Sequence, residues 1–526
     1  MFTERHIRGA MLYDERRMNG PPRRSADSIH RAADPPLSPQ TSPDALTHAR
    51  LGGAVWALVV ACVIVFVIGL VQIDARPVTK DAAQNLRMAV NLAHHGVISL
   101  DPVPPFRPSM YREPLPIWVT AAAVHVLDAV SGLAELPAYD RAPRIRALKF
   151  LNLIWIELLF AALCVALYGF TASVPLSLLV ALAAIGPFLS ASAIDGVNGL
   201  YTELPAAALL AASSALLALA VRRPTLRICL TVGAGFACLT LTKAAFLYVC
   251  VLMMGVVLLA GLKARVPLRA WTRPALGMVM FTLLIGTWMM RNGVEFGRWQ
   301  ISERGGLAVY NRALLTEMTF DEYRGSFYAW ARPSIQPLMG RMLGYGPSDL
   351  VKGGRLQRIN DDIEGGFSQE DLVAETEGVP GRAITFYRRA RAERVALANG
   401  FERAGSPDPM LAADAVLQQR GMSLIEAHPF RNLALIVPFL WRSAPLSFPL
   451  LLIVLVLAWM RRRPDMGVFV LPALAAIGFS ASITYFFPRF ERVSHPIAIA
   501  AGGILIYWML LRTFRRMHHA PHDQGV

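Results

Sequence analysis

Apolar residues run along this chain in long unbroken blocks, at roughly 53–73, 148–169, 173–192, 204–221, 226–242, 244–262, 273–290, 444–460, 466–486 and 495–511. Each is close to the length that carries a helix across a bilayer. Two long polar stretches interrupt them, 74–147 and 292–432. The second is far too long for a structureless loop. It holds amphipathic pieces at 383–401 and 412–430, so a compact, partly helical cap is expected there.

The polar stretch after the first block opens with "KDAAQNLRMAVNLAHHG", Lys80 to Gly96, which reads as an amphipathic helix carrying Asp81, Arg87, His94 and His95. Pro114–Val130 is ambiguous: it is apolar, yet it contains His125 and Asp128. Charge decides between the alternatives. If this segment does not span, the turns carrying Arg222, Arg223 and Arg227, then Lys263, Arg265, Arg269 and Arg273, then Arg461 to Arg463, then Arg512, Arg515 and Arg516 all fall on one side with the basic N-terminal tail. If it spans, they all move outside, against the positive-inside rule. The segment is therefore expected to lie on, or dip into, the outer face. This predicts an all-α polytopic membrane protein with about ten transmembrane helices, outer-face juxtamembrane helices and an outer helical cap. Both termini fall in the cytoplasm.

Composition agrees. The chain has 526 residues, 54% hydrophobic and 17% charged, with mean hydropathy +0.42, a balance foreign to a soluble domain of this size. The net charge of +15 is explained by inner turns and calls for no nucleic acid. Residues 1–50 read as a disordered cytoplasmic tail, with 53–73 as a signal anchor. The body divides into a membrane module 51–291 that includes the outer loop 74–147, the cap 292–432, closing membrane helices 433–512 and a tail 513–526. Cys62, Cys164, Cys229, Cys238 and Cys250 all sit in apolar runs, as small buried hydrophobes.

Candidate chemistry gathers on the expected outer face. Asp81 opens its helix with Gln84 three residues on, a capping-box pattern; it is equally a carboxylate able to take a proton at the membrane–water boundary. Glu203 begins a span, and Asp195 lies in the turn before it. Arg112, Lys243, Arg291, Arg489 and Arg492 are outer cations, each alone a possible snorkelling anchor, together suited to an anionic group such as a lipid phosphate. The outer histidines His94, His95, His125, His428 and His495 have no metal-ligand spacing. No metal or other cofactor is assigned, although acids around Asp81 and Glu203 could recruit a divalent ion. There is no P-loop, dinucleotide fingerprint or G-x-S-x-G motif.

Five stretches in order carry a resemblance: "DAAQNLRMAVNLAHHGVIS" (81–99), "MYREPLPIWV" (110–119), "NGLYTELPAAALL" (198–210), "TWMMRNGVEFGRWQIS" (287–302) and "ERVSHPIAIAAGGIL" (491–505). Over roughly 50–310 and 420–512 the chain resembles the GT-C superfamily of integral-membrane glycosyltransferases. The likeness is to the bacterial family-39-like branch, related to protein O-mannosyltransferases and lipid A aminoarabinose transferases. It departs from that pattern at Ala82, where a second acid is common, and at Val493, where a tyrosine is usual. The resemblance implies inverting transfer of a sugar from a polyprenyl-phosphate-linked donor to an envelope lipid, glycan or protein acceptor, at the periplasmic face of a bacterial inner membrane. It implies Asp81 as general base and Glu203 as a second catalytic or positioning acid. Arg112, Lys243, Arg291 and Arg492 would bind the donor phosphate, with Tyr111, Asn292, Glu491 and His94 as further substrate contacts. A lipid or sugar transporter, or an inactive partner protein of the same fold, is the alternative.

Overall fold

The computed structural model describes residues 43–131, 142–190, 196–263, 267–303, 305–361, 367–485 and 488–518. Asp195 and most of both expected tails lie outside these. The first helix, α1 (Pro43–Gln72), starts ahead of its apolar block. Then come α2 (Lys80–His95), α3 (Pro114–Ser131), α4 (Ala142–Lys149), α5 (Leu151–Thr171), α6 (Val174–Leu189), α7 (Glu203–Arg222), α8 (Leu226–Thr242), α9 (Phe246–Lys263) and α10 (Thr272–Phe296). The described residues contain no strand.

Six stretches are long and apolar enough to cross a membrane: Gly52–Gln72, Pro143–Thr171, Glu203–Arg222, Arg269–Phe296, Pro464–Ile483 and His495–Thr513. A seventh is counted if Pro429–Ser443 and Ser447–Met460, which meet at 103°, form one broken span. The expectation of ten is not reached by this measure, because Val174–Leu189, Leu226–Thr242 and Phe246–Gly255 are shorter apolar helices. Pro114–Val130 is also in that short class. It buries Ile117, Thr120, Ala121 and Val124, one helical face, and packs along α2.

Helix α7 is central, touching α5, α8 and α20 (Pro464–Ile483). Helices α8 and α10 cross so closely that a Cβ on Gly233 would sit 2.0 Å from the Gly277 carbonyl oxygen. Glycine lets two backbones meet where lipid supplies no hydrophobic drive for association.

Polar contacts fix both ends of this bundle. At one end Arg222 donates to Asp465 (2.7 Å) and to the Gly169 carbonyl (3.1 Å), while Arg463 also pairs with Asp465. At the other, Lys149 is fully buried and reaches Asp74 Oδ1 (2.6 Å) and the Arg76 carbonyl (2.7 Å), which ties the end of α1 to the α4–α5 junction.

Between α10 and α17 (Pro429–Ala434) lie six helices: α11 (Gly305–Leu314), α12 (Phe320–Ala329), α13 (Gln336–Leu343), α14 (Phe367–Glu377), α15 (Phe386–Arg403) and α16 (Pro409–Ala427). α15 and α16 fall where the amphipathic pattern predicts helices. Buried Asp414 on α16 accepts from the backbone N–H groups of Gly306 (2.8 Å) and Leu307 (2.9 Å), satisfying free donors at the start of α11. Gly306 is required there, since a Cβ would meet the Asp414 carbonyl oxygen at 2.0 Å. The chain ends with α18 (Ile436–Ser443), α19 (Ser447–Met460), α20, the one-turn α21 (Pro488–Glu491) and α22 (His495–His518).

Burial opposes ionisation of Asp74, but hydrogen bonds from Lys149 and Arg76 outweigh it and hold its pKa below the usual carboxylate value. The group is depressed in the folded state, so its stabilisation is present above about pH 4, the unfolded value. It is lost as pH falls through the lower folded value. Lys149→Met is expected to cost about 2 kcal/mol by removing the buried donor to Asp74, which keeps only Arg76. Thermal unfolding of detergent-solubilised protein between pH 6 and pH 3 should show an acid-dependent loss that Asp74→Asn flattens.

Candidate functional site

Helix α2 is amphipathic, and its buried face (Ala82, Asn85, Leu86, Ala89, Ala93) sits against the bundle. Asn85 donates to the Leu200 carbonyl (3.3 Å), and Asn91 to the carbonyls of Ser99 (2.9 Å) and Asp101 (3.0 Å). Gly96 ends the helix at φ 71°, its N–H reaching the Leu92 carbonyl. The start departs from the capping-box expectation. Thr79 is the N-cap and makes no side-chain cap, Lys80 enters at φ 53°, and Asp81 lies within the first turn. Gln84 is turned away from the backbone and accepts from Arg112 instead. A stronger, charged donor has taken the oxygens that would have capped the helix.

Asp81 Oδ1 accepts from Arg112 (2.5 Å) and Oδ2 from Arg489 (2.7 Å). The Arg489 guanidinium also lies 3.5 Å from Glu203 Oε1, which takes Lys243 at 3.0 Å. Five charged groups of alternating sign thus form one chain: Arg112, Asp81, Arg489, Glu203, Lys243. Burial opposes the charge on Arg489, but Glu203 and Asp81 more than offset it and hold its pKa above the ordinary guanidinium value. Glu203 is 1% exposed at the first position of α7, where the helix dipole favours an acid. Its Oε2 is buried and has no hydrogen-bond partner among the described residues.

Each element delivers its residue by a local feature. α8 stops at Thr242 and Lys243 closes it, its N–H on the Leu239 carbonyl, which leaves the ammonium at the helix end. Pro114 starts α3, and Arg112 stands in the bend just before it. Phe490 and Tyr201 wall the cluster: Lys243 lies 5.0 Å from the Phe490 ring centre and Arg489 5.8 Å from that of Tyr201. Burial pushes the Tyr201 phenol above its ordinary value, and it donates to the Thr79 carbonyl (3.1 Å).

Four residues named from sequence are therefore together: Asp81, Arg112, Glu203 and Lys243. Others are placed elsewhere. Arg291 pairs with Glu295 (2.5 Å) and lines a cleft of about 340 Å³ with Leu92, Gly96, Val97, Ile98 and Pro108. That cleft is at the far end of α2, roughly 20 Å from Asp81 at 1.5 Å per residue. Asn292 donates to the Gln300 carbonyl (2.7 Å) and so holds the exit loop of α10. His94 contacts Asp128 (2.8 Å), also toward the far end of α2. Glu491 is buried against Ser447 and His495. Tyr111 borders the cluster, 5.5 Å from the Arg112 guanidinium. The cation that joins the two acids is Arg489, three residues before Arg492. Only the turn geometry of α21 selects it, since both arginines stand on the same short stretch of sequence.

A divalent ion does not fit these donors. Among the described residues no three His, Cys, Asp or Glu side chains converge, and both Asp81 oxygens and Glu203 Oε1 already face cations.

No family model matches the chain, and no curated protein matches it. The solved structures similar to this chain include these three. One is the archaeal oligosaccharyltransferase AglB from Archaeoglobus fulgidus, in complex with an inhibitory peptide and a dolichol-phosphate. It is 12% identical over 89% of this chain, with a TM-score of 0.35, and this chain spans about half (52%) of that longer protein. The others are ArnT from Cupriavidus metallidurans in the apo state and bound to undecaprenyl phosphate. Both are 13% identical with TM-scores of 0.34, over 86% and 85% of this chain and 78% and 77% of theirs.

Removing Lys243 leaves a buried carboxylate with Arg489 as its remaining cation. Lys243→Met is expected to destabilise by on the order of 3 kcal/mol. Adding Glu203→Gln should recover part of that loss. Thermal unfolding of the two single variants and the double variant measures the coupling, and additive losses would contradict the pairing.

Proposed function

We propose that this protein transfers a sugar from a polyprenyl-phosphate-linked donor to an envelope lipid, glycan or protein acceptor, with inversion, at the periplasmic face of a bacterial inner membrane. The observation that carries the reading is the alternating cluster from Arg112 to Lys243. It stands on the same end of the bundle as the helical cap and opposite the Arg222–Asp465–Arg463 network. α7 runs from Glu203 at one end to Arg222 at the other, about 30 Å away, the depth of a bilayer core.

The chemistry follows from the charges. The acceptor oxygen bonds to the anomeric carbon as the bond from that carbon to the phosphate oxygen breaks. The electron pair leaves with the polyprenyl phosphate, and the acceptor proton goes to Asp81. Polyprenyl phosphate is a stabilised anion, so fixed cations suffice to receive it. Two guanidiniums lock Asp81 in the resting protein. A phosphate that draws Arg112 and Arg489 toward itself would free the carboxylate as charge develops on the leaving group. Glu203 holds Arg489 and Lys243 in place. On the cap, Tyr310, Glu317, Arg389, Glu393, Gln419 and Arg420 line an open groove of about 610 Å³, suited to a polar acceptor.

Envelope lipids and glycans from cells with and without the protein, compared by mass analysis, should differ by one sugar. Restoring Asp81→Asn should not return it, with turnover down about 10²–10⁴-fold at normal expression. Arg489→Met is expected to weaken binding of undecaprenyl phosphate to purified protein about tenfold, and Arg291→Met far less. An unchanged envelope together with no lipid-phosphate binding would sink the proposal and favour a transporter or an inactive partner.

A further inference from the structure

The cap meets the segment that ends in the charged cluster at Arg394 and Glu303. Arg394, on α15 of the cap, is 5% exposed and donates to Glu303 Oε1 at 2.9 Å; Glu303 is 2% exposed. The backbone N–H of Glu303 donates to the Met110 carbonyl at 3.0 Å. The Arg394 guanidinium stands 5.6 Å from the centre of the Tyr111 ring, and that of Arg112 stands 5.5 Å from the same ring. Met110 is fully buried, and the Ser109 N–H is tied to the Ile98 carbonyl at 2.8 Å. The segment that ends in Arg112 is therefore held from below by α2 and its following loop, and from above by the cap.

We propose that Arg394 is a positioning residue for Arg112. It acts through the Tyr111 ring and through the Glu303 clamp on Met110, so that seating of the cap and aim of the Arg112 guanidinium are coupled. The physical ground is twofold. A buried arginine–carboxylate pair has one preferred geometry, because any other leaves charge unpaired in a low-dielectric setting. A planar guanidinium facing an aromatic ring restricts the ring, and the ring in turn restricts Arg112. Arg389 and Glu393, on the same helix α15, line the cap groove, so a ligand there bears on the helix that carries Arg394. The inference rests on the reading of Arg112 as a phosphate ligand, and its test separates the two.

Two measurements on the full-length protein in detergent decide it. The first is hydrogen exchange of the 108–113 backbone. Arg394→Ala and Tyr111→Leu should each speed exchange at Met110 to Arg112, with Arg394→Lys, which keeps the charge and loses the flat face, in between. The second is affinity for undecaprenyl phosphate. Arg394→Ala should weaken it about tenfold. Adding Arg394→Ala to Arg112→Met should bring no further loss, because Arg394 acts only through Arg112. Unchanged exchange in Arg394→Ala, or losses that multiply in the double variant, would overturn the relay. Faster exchange with lipid affinity unchanged in Arg112→Met would leave the relay standing and remove the phosphate reading instead.

Discussion

Charge cannot be left unpaired in the interior of a membrane protein, and the cap-side end of this bundle is built around that constraint. A carboxylate alone at the head of α7 would be strongly disfavoured; placed beside Lys243 and Arg489 it becomes a fixed point. Arg489 faces both acids, and they offset the cost of burying its charge. Asp81 in turn needs Arg112. Alternation of sign along five side chains from separate parts of the chain locks α2, the segment before α3, α7, the α8–α9 turn and α21 into one body. Under the proposed function an incoming anion would compete for the same cations, so the interactions that stabilise the resting fold are those a substrate would reorganise.

The cap is attached by the same logic, with different donors. Arg312 on α11 is fully buried and makes no ion pair with a carboxylate among the described residues; it donates to the carbonyls of Asn432 (2.7 Å) and Ser482 (3.4 Å) and faces the Phe439 ring at 4.6 Å. Ser482 is in the last turn of α20, where helix carbonyls favour a cation. Burial still pushes Arg312 down to about 9. The cap is thus seated on the end of a membrane helix by backbone dipoles, and on the loop before α3 by Glu303 and Arg394. Neither seat uses an exposed charge pair, which salt would screen.

Much of this was legible in the residue pattern. Apolar block length located the membrane helices, since the number of residues needed to cross hydrocarbon is set by helix rise. Amphipathic spacing located α2, α15 and α16, because burial of one face imposes a 3.6-residue period. Asp81, Arg112, Glu203 and Lys243 were identifiable as charges at helix ends, where their desolvation has to be explained. Span length was less legible: α6 stops at Leu189, short of its block of 173–192, because a block's composition does not say where a turn will cut it, whereas α8 fills its block of 226–242.

What the sequence alone determined is therefore what depends on local periodicity and on the energy of placing charge near lipid. What the tertiary structure decided is which charges meet. The sequence reading favours Arg291 over Arg489 as a phosphate ligand, yet Arg291 closes a pair with Glu295 on its own helix and Arg489 bridges Asp81 and Glu203 across more than 280 residues of chain. Gln84 likewise fits a helix cap by spacing and instead serves Arg112. Both outcomes turn on the packing of helices distant in sequence, which sets the distances between charges, and Coulomb energy inside a low-dielectric body depends steeply on those distances.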